Sequence, residues 1–174
     1  MKKRIYIIVA TDENLGIGKN GTMPWNLKDE LKYFQEVTTK TTDPNKQNMV
    51  IMGRTTWESI PEQFRPLKNR KNVVLTRNSE FEAAGATVFN SMDAAIASAN
   101  DSIENVFIMG GAQVYKQAIE QLNLDGLYIT KIHKEYDCDA FFPEIPEKFG
   151  NPISLGGVEE DNIGYEYLFY GKKD

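Results

Sequence analysis

Cysteine and histidine are nearly absent from this chain, with one of each among 174 residues. Cys138 therefore has no partner for an internal disulfide, and by itself it builds no zinc site. Positive charge is also short. Lys and Arg number 20 against 25 Asp and Glu, a net charge of -5, which argues against nonspecific nucleic-acid binding. The longest apolar run is Ile5–Ala10, far below the ~20 residues that a membrane span requires. The basic opening Met1-Lys2-Lys3-Arg4 is no signal-peptide core and lacks a cleavage pattern. No repeat or low-complexity stretch is present. What the chain does have is 41% hydrophobic and 11% aromatic residues, too many for a disordered protein. Its length suits one sizeable core and not two. These features predict one soluble globular domain of a reducing compartment, placed in the cytoplasm.

Ile5–Ala10 reads as a strand buried on both faces, being almost continuous in aliphatic and β-forming residues. Thr11–Trp25 is rich in Gly, Pro, Asn and Asp and reads as a long loop. Asn26 is a candidate N-cap for a helix from Leu27 to Val37. A polar loop, Thr38–Asn48, precedes a second buried strand at Met49–Met52 and a short helix that Pro61 ends. Further strands are expected at Val73–Leu75, Thr87–Phe89, Val106–Met109 and Leu127–Ile132. Helices are expected over Met92–Ala99 and from Gly110-Gly111 to Leu122. Strands alternating with helices imply a largely parallel α/β sheet, and Tyr165–Tyr170 suggests antiparallel strands added at one edge.

On a 100°-per-residue wheel, Leu27, Leu31, Phe34 and Val37 form one apolar stripe. Glu30 falls inside that stripe. A carboxylate there is costly to bury unless partnered, and burial raises its pKa. Two readings stay open: a side chain at the stripe's edge that reaches water or an internal Arg, or a binding carboxylate on the floor of an apolar pocket. The second suits a flat, nitrogen-rich ring with two adjacent N–H donors.

Three strand ends suit phosphates, in keeping with the gathering of ligands at the carboxyl ends of parallel strands. Met52-Gly53-Arg54-Thr55-Thr56 brings an Arg and two hydroxyls to a helix N-terminus, where free N–H groups and the dipole favour anions. Met109-Gly110-Gly111-Ala112 offers close backbone approach. Leu75-Thr76-Arg77 pairs a hydroxyl with a guanidinium. Together they favour a dinucleotide carrying an extra phosphate. Gly16-Ile17-Gly18-Lys19-Asn20-Gly21 fits the Rossmann pattern, but Thr22-Met23-Pro24-Trp25 follows where a helix should open. Those glycines read instead as a mobile loop that closes over a site.

The chain resembles the dihydrofolate reductase family. The resemblance is carried by Gly16–Trp25, Val50–Pro61, Arg65–Arg70, Gly110–Tyr115 and Asp139-Ala140-Phe141-Phe142-Pro143, in the family's order and spacing across essentially the whole chain. It implies a dihydrofolate reductase-like fold: an eight-stranded, mostly parallel central sheet with four flanking helices, in one domain whose adenosine-binding subdomain spans roughly 48–102. It also implies NADPH-dependent reduction of 7,8-dihydrofolate to tetrahydrofolate, with antifolate inhibitors as further ligands, no metal, no nucleic acid or membrane partner, and a monomer.

By that resemblance Glu30, Trp25 and Thr130 serve catalysis. Glu30 grips the pterin's amino group and ring N–H, Thr130 hydrogen-bonds the carboxylate, and Trp25 helps hold a water. Ala10, Leu31, Phe34, Ile60, Met109 and Tyr115 line the substrate pocket, and Arg70 takes the glutamate tail's carboxylate as a fork. Arg54, Thr55, Thr56, Gly111 and Ala112 hold the pyrophosphate, and Thr76 and Arg77 the 2′-phosphate. Ala10, Ile17 and Tyr115 line the nicotinamide pocket, and Gly18 and Val114 also bind the cofactor. Gly110, also at the cofactor, is expected to join Gly111 through a cis peptide. Two departures stand out: Asn90 occupies a position where the family often has a cation, and Ala140 one where Thr is usual.

His133 and Cys138 read as bystanders. His133 follows a strand with no nucleophile partner, and the acidic neighbours of Cys138 disfavour its thiolate. Two rival readings are a related reductase acting on another heterocycle and a noncatalytic pterin- or nucleotide-binding module. Glu30 with Arg70 speaks against the first, and the retained Glu30, Trp25 and Thr130 against the second.

Overall fold

A computed structural model of the chain describes residues 3–173, so Met1 and Lys2 of the basic opening, and Asp174, lie outside the described residues. The chain runs through β1 (Arg4–Thr11), β2 (Gly16–Gly18), α1 (Lys28–Thr39), β3 (Gln47–Gly53), α2 (Arg54–Ser59) and a 3-10 turn (Glu62–Phe64). It continues with β4 (Arg70–Leu75), β5 (Thr87–Phe89), α3 (Met92–Ala97), β6 (Ile103–Ile108), α4 (Ala112–Gln121) and β7 (Gly126–Ile132). The last strands are β8 (Ala140–Phe141), β9 (Ile153–Glu160) and β10 (Ile163–Gly171).

Eight strands form one sheet in the order β5-β4-β3-β6-β1-β7-β10-β9. Pairing is parallel from β5 through β7, and β10 and β9 add antiparallel at one edge. The expected eight-stranded, mostly parallel sheet with four helices is therefore present. The central strands are buried on both faces, as their continuous apolar runs require. In β3, Met49 and Ile51 join a cluster with α3 and α4 residues such as Ala95 and Ala118. Val50 and Met52 point the other way, into a cluster with Trp57, Phe34 and Val37. Each such aliphatic side chain withdrawn from water contributes roughly 1.5–3 kcal/mol.

Three local expectations are corrected. Helix α1 is capped not by Asn26 but at Leu27, which makes no side-chain capping bond. The Glu160 carboxylate, from the far end of β9, does that work by accepting from the Lys28 and Asp29 backbone N–H groups at 2.7 and 3.0 Å. A negative charge at a helix N-terminus also complements its dipole. The long loop after β1 is not wholly irregular, because its Gly16–Gly18 portion pairs with β8 as a second, two-stranded sheet. Finally, α1 runs on to Thr39, since the Thr38 and Thr39 hydroxyls satisfy the Phe34 and Gln35 carbonyls at 2.7 Å.

Candidate active site

Helix α1 inverts the usual burial order. Glu30 is 6% exposed while its neighbour Leu31, on the apolar stripe, is 47% exposed. A carboxylate held in and an aliphatic side chain left out is the opposite of what packing alone selects. Burial pushes the Glu30 carboxyl up to about 7, and the buried Thr130 hydroxyl, favouring the charged form, holds the rise back. Phe34 and Val37 of the same helix, and Ile60 just after α2, are half-buried against one cluster. This side of α1 thus sets one buried carboxylate among half-buried and exposed apolar side chains.

Strand order gathers the remaining residues. Ala10 and Thr130 are register partners across β1 and β7, and Tyr167 of β10 pairs with Thr130 on the other side. Trp25 is buried in the cluster at this end. The Trp25 ring meets Tyr136 edge-on at 5.2 Å, and its indole Nε1 finds no protein hydrogen-bond partner among the described residues. Tyr115 is buried, and its hydroxyl donates to the Ile8 carbonyl at 2.8 Å. That bond ties α4 to β1 and leaves the phenol a fixed wall, with burial raising its pKa far out of reach.

At the opposite end of α1, Arg70 is half-buried at the start of β4. Its Nη1 donates to the Thr38 hydroxyl at 3.0 Å and its Nε to the Lys68 carbonyl at 2.8 Å.

The three glycine and arginine strand ends lie side by side. The Gly53 N–H donates to the Gly110 carbonyl at 2.8 Å, and the Met109 N–H to the Ile51 carbonyl at 2.9 Å, joining the ends of β3 and β6. The Gly110–Gly111 peptide is cis, and Gly110 has φ +120°, a conformation that side chains rarely adopt. A Cβ on Gly110 would stand 3.3 Å from the Tyr115 hydroxyl and 3.4 Å from the Thr56 hydroxyl. Helices α2 and α4 start here, at Arg54 and Ala112. Arg54 is exposed, paired with Glu58 at 2.9 Å and lying 4.4 Å over the Phe81 ring. Farther along the same edge, a groove of about 700 Å³ is lined by Thr76, Arg77, Asn90, Ser91, Gln113 and Val114 among others. Arg77, Lys116 and the Thr76 and Ser91 hydroxyls in this groove could hold phosphate groups.

Ile17 and Gly18 lie in β2, opposite β8, where Gly18 pairs with Ala140. Phe64 is exposed, Trp57 is core, and His133 is exposed just past β7. Inspection of the sequence missed Asp12, which is 1% exposed, and Thr38 behind Arg70. An acidic residue directly after a buried strand was the available signal for Asp12.

A family profile described as dihydrofolate reductase matches residues 4–171. The chain belongs to the dihydrofolate reductase family. It is 42% identical to the dihydrofolate reductase of Drosophila melanogaster over 178 residues, covering 97% of this chain and 98% of that protein. The Sus scrofa dihydrofolate reductase is 43% identical over 180 residues, covering 96% and 97%. Among solved structures, Schistosoma mansoni dihydrofolate reductase superimposes with a TM-score of 0.86 at 36% identity, covering 99% of this chain and all of that one. Among the described residues no helix is long and apolar enough to cross a membrane.

Proposed function

We propose that this protein reduces 7,8-dihydrofolate to 5,6,7,8-tetrahydrofolate with NADPH, acting as a cytoplasmic monomer. The single observation that carries the reading is the Glu30 carboxylate, buried on the apolar stripe of α1. One carboxylate accepts two adjacent N–H donors, as a pterin's 2-amino group and N3 present them. Leu31, Phe34, Ile60 and Met109 supply apolar walls for the flat ring and the benzoyl group. Arg70, steadied by Thr38, takes the tail carboxylate as a bidentate fork. Diamino heterocyclic antifolates would use the same carboxylate.

When bound, NADPH supplies the hydride that ends on pterin C6. The chain's own part is to position and to manage a proton. Arg54, Thr55, Thr56, Gly110, Gly111 and Ala112 would hold the pyrophosphate, and Thr76 and Arg77 the 2′-phosphate, within an adenosine-binding subdomain spanning roughly 48–102. Ala10, Ile17, Gly18, Val114 and Tyr115 would frame the nicotinamide and orient it toward the substrate. Glu30, with a pKa pushed up to about 7, stabilises the pterin protonated at N5 without touching that atom. Trp25 and Thr130 orient the carboxylate's surroundings, and a water delivers the proton.

The test is NADPH oxidation with dihydrofolate, run on wild type and Glu30→Gln together. Turnover by wild type and a loss of about 100-fold or more in the variant are expected for a group acting on protonation. A folded wild type that binds NADPH without turnover overturns the reading. An unchanged rate and pH profile in Glu30→Gln overturns the role of the carboxylate.

A further inference from the structure

We infer that Asp12 is a positioning residue for this reductase site, its carboxylate tying the Gly16–Gly18 segment to the Tyr136–Cys138 segment that supports Trp25. The inference rests on the proposed reading, because Ile17, Gly18 and Trp25 matter to it only as site residues.

Asp12 immediately follows β1, whose end carries Ala10. Its Oδ1 accepts from the Asn14 and Gly16 N–H groups at 2.9 and 2.7 Å. Its Oδ2 accepts from the Tyr136 N–H at 2.9 Å, with the Cys138 Sγ 3.8 Å away. No Lys or Arg pairs with it among the described residues. A buried carboxylate without a cation is expensive, and three backbone donors offset that cost by favouring its charged form. Burial alone would raise its pKa, yet these bonds bring it below the ordinary aspartate value.

The junction is closely packed from both sides. The Asp12 N–H donates to the Gly16 carbonyl at 2.9 Å, the Asp139 N–H to the Gly18 carbonyl at 2.9 Å, and the Phe142 N–H to the Leu15 carbonyl at 2.7 Å. A Cβ on Gly16 would lie 2.6 Å from the Cys138 Sγ and 2.8 Å from the Asp12 Oδ1. From Gly16 the path runs through Asp12 to Tyr136, and from the Tyr136 ring to Trp25. One side chain therefore sets the wall beside the nicotinamide and the support behind Trp25 together. A neutral amide cannot replace it: whichever carboxylate oxygen becomes the NH2, a donor then faces a backbone donor.

Asp12→Asn and Gly16→Ala both disturb this junction, by charge and by bulk. In the free protein, amide exchange at Gly16 and Tyr136 should quicken about tenfold or more in either variant. At saturating substrates kcat should fall about tenfold, and fluorescence titration should show NADPH binding weakened several-fold, while the KM for dihydrofolate stays within about twofold. Asn14→Ala, which removes only an exposed side chain bonded to Glu135, should leave kcat unchanged. Wild-type exchange rates in a folded Asp12→Asn overturn the tie. Quickened exchange with unchanged kcat and NADPH binding overturns the positioning role. Absence of turnover in wild type itself refutes the reductase reading instead, and the exchange measurement separates that outcome from failure of the tie.

Discussion

Thr38, in the last turn of helix α1, ties Arg70 to that helix. Its hydroxyl accepts from the Arg70 Nη1 at 3.0 Å and donates to the Phe34 carbonyl at 2.7 Å. Thr38 is fully buried, so the guanidinium is anchored from behind by a side chain that touches no ligand. Thr38→Val keeps the shape and removes the acceptor. Losing a hydrogen bond to a charged group costs roughly 1.5–3 kcal/mol, and part of that should appear as a KM for dihydrofolate raised about tenfold with kcat little changed. Arg70→Lys should raise it further, since an ammonium cannot form the fork. An unchanged KM in Thr38→Val would remove Thr38 from this role.

Burial of Glu30 makes folding depend on pH. Its folded pKa of about 7 lies above the ordinary 4.5, so the folded state binds the extra proton. Stability from this group is full below pH ~4.5, declines as pH rises, and levels off above ~7, a loss of up to about 3 kcal/mol. Glu30→Gln should flatten that decline and raise the Tm at pH 8. Unfolding by urea at several pH values measures it, and a wild-type profile parallel to that of the variant contradicts the burial argument.

Glu160 is half-buried, and its pKa is lowered chiefly by the Asp29 backbone N–H, with the Lys28 N–H and the Tyr165 hydroxyl adding to the effect against burial. Glu160→Ala leaves two first-turn donors of α1 to water. The expected results are a lower Tm and faster amide exchange at Lys28 and Asp29. Activity should fall in parallel, because Glu30 follows directly in the same turn. Exchange unaltered at those two amides counts against the cap.

The proposed 2′-phosphate site predicts a cofactor preference. Arg77→Ala should raise the KM for NADPH about tenfold or more and leave the KM for NADH nearly unchanged, since only one of the two carries the phosphate. Equal effects on both would move the phosphate away from Arg77.

Several features were legible because their cause is local. β1, β3, β6 and β7 are announced by continuous aliphatic runs, and helices α2 and α4 by the Gly that precedes each. Glu30 was visible as a charge on an apolar stripe. The Asn26 cap was misread because its rival, Glu160, lies more than a hundred residues away. The strand at Gly16–Gly18 was misread for the same reason: three residues rich in glycine form a strand only against Ala140–Phe141.

The sequence by itself determined the parallel α/β class, the order of the parallel strands and the four helices, and the placing of a carboxylate on an apolar stripe and of glycine, arginine and hydroxyl residues at strand ends. Hydrophobic periodicity and glycine placement act over a few residues, so they can be read in one dimension. Tertiary structure alone decided other meetings: Thr38 with Arg70, Tyr115 with Ile8, and Asp12 with both Gly16 and Tyr136. Each of these pairs depends on strand order and helix packing, and the environment that shifts a carboxyl's pKa or frees a guanidinium exists only after distant segments have closed around it.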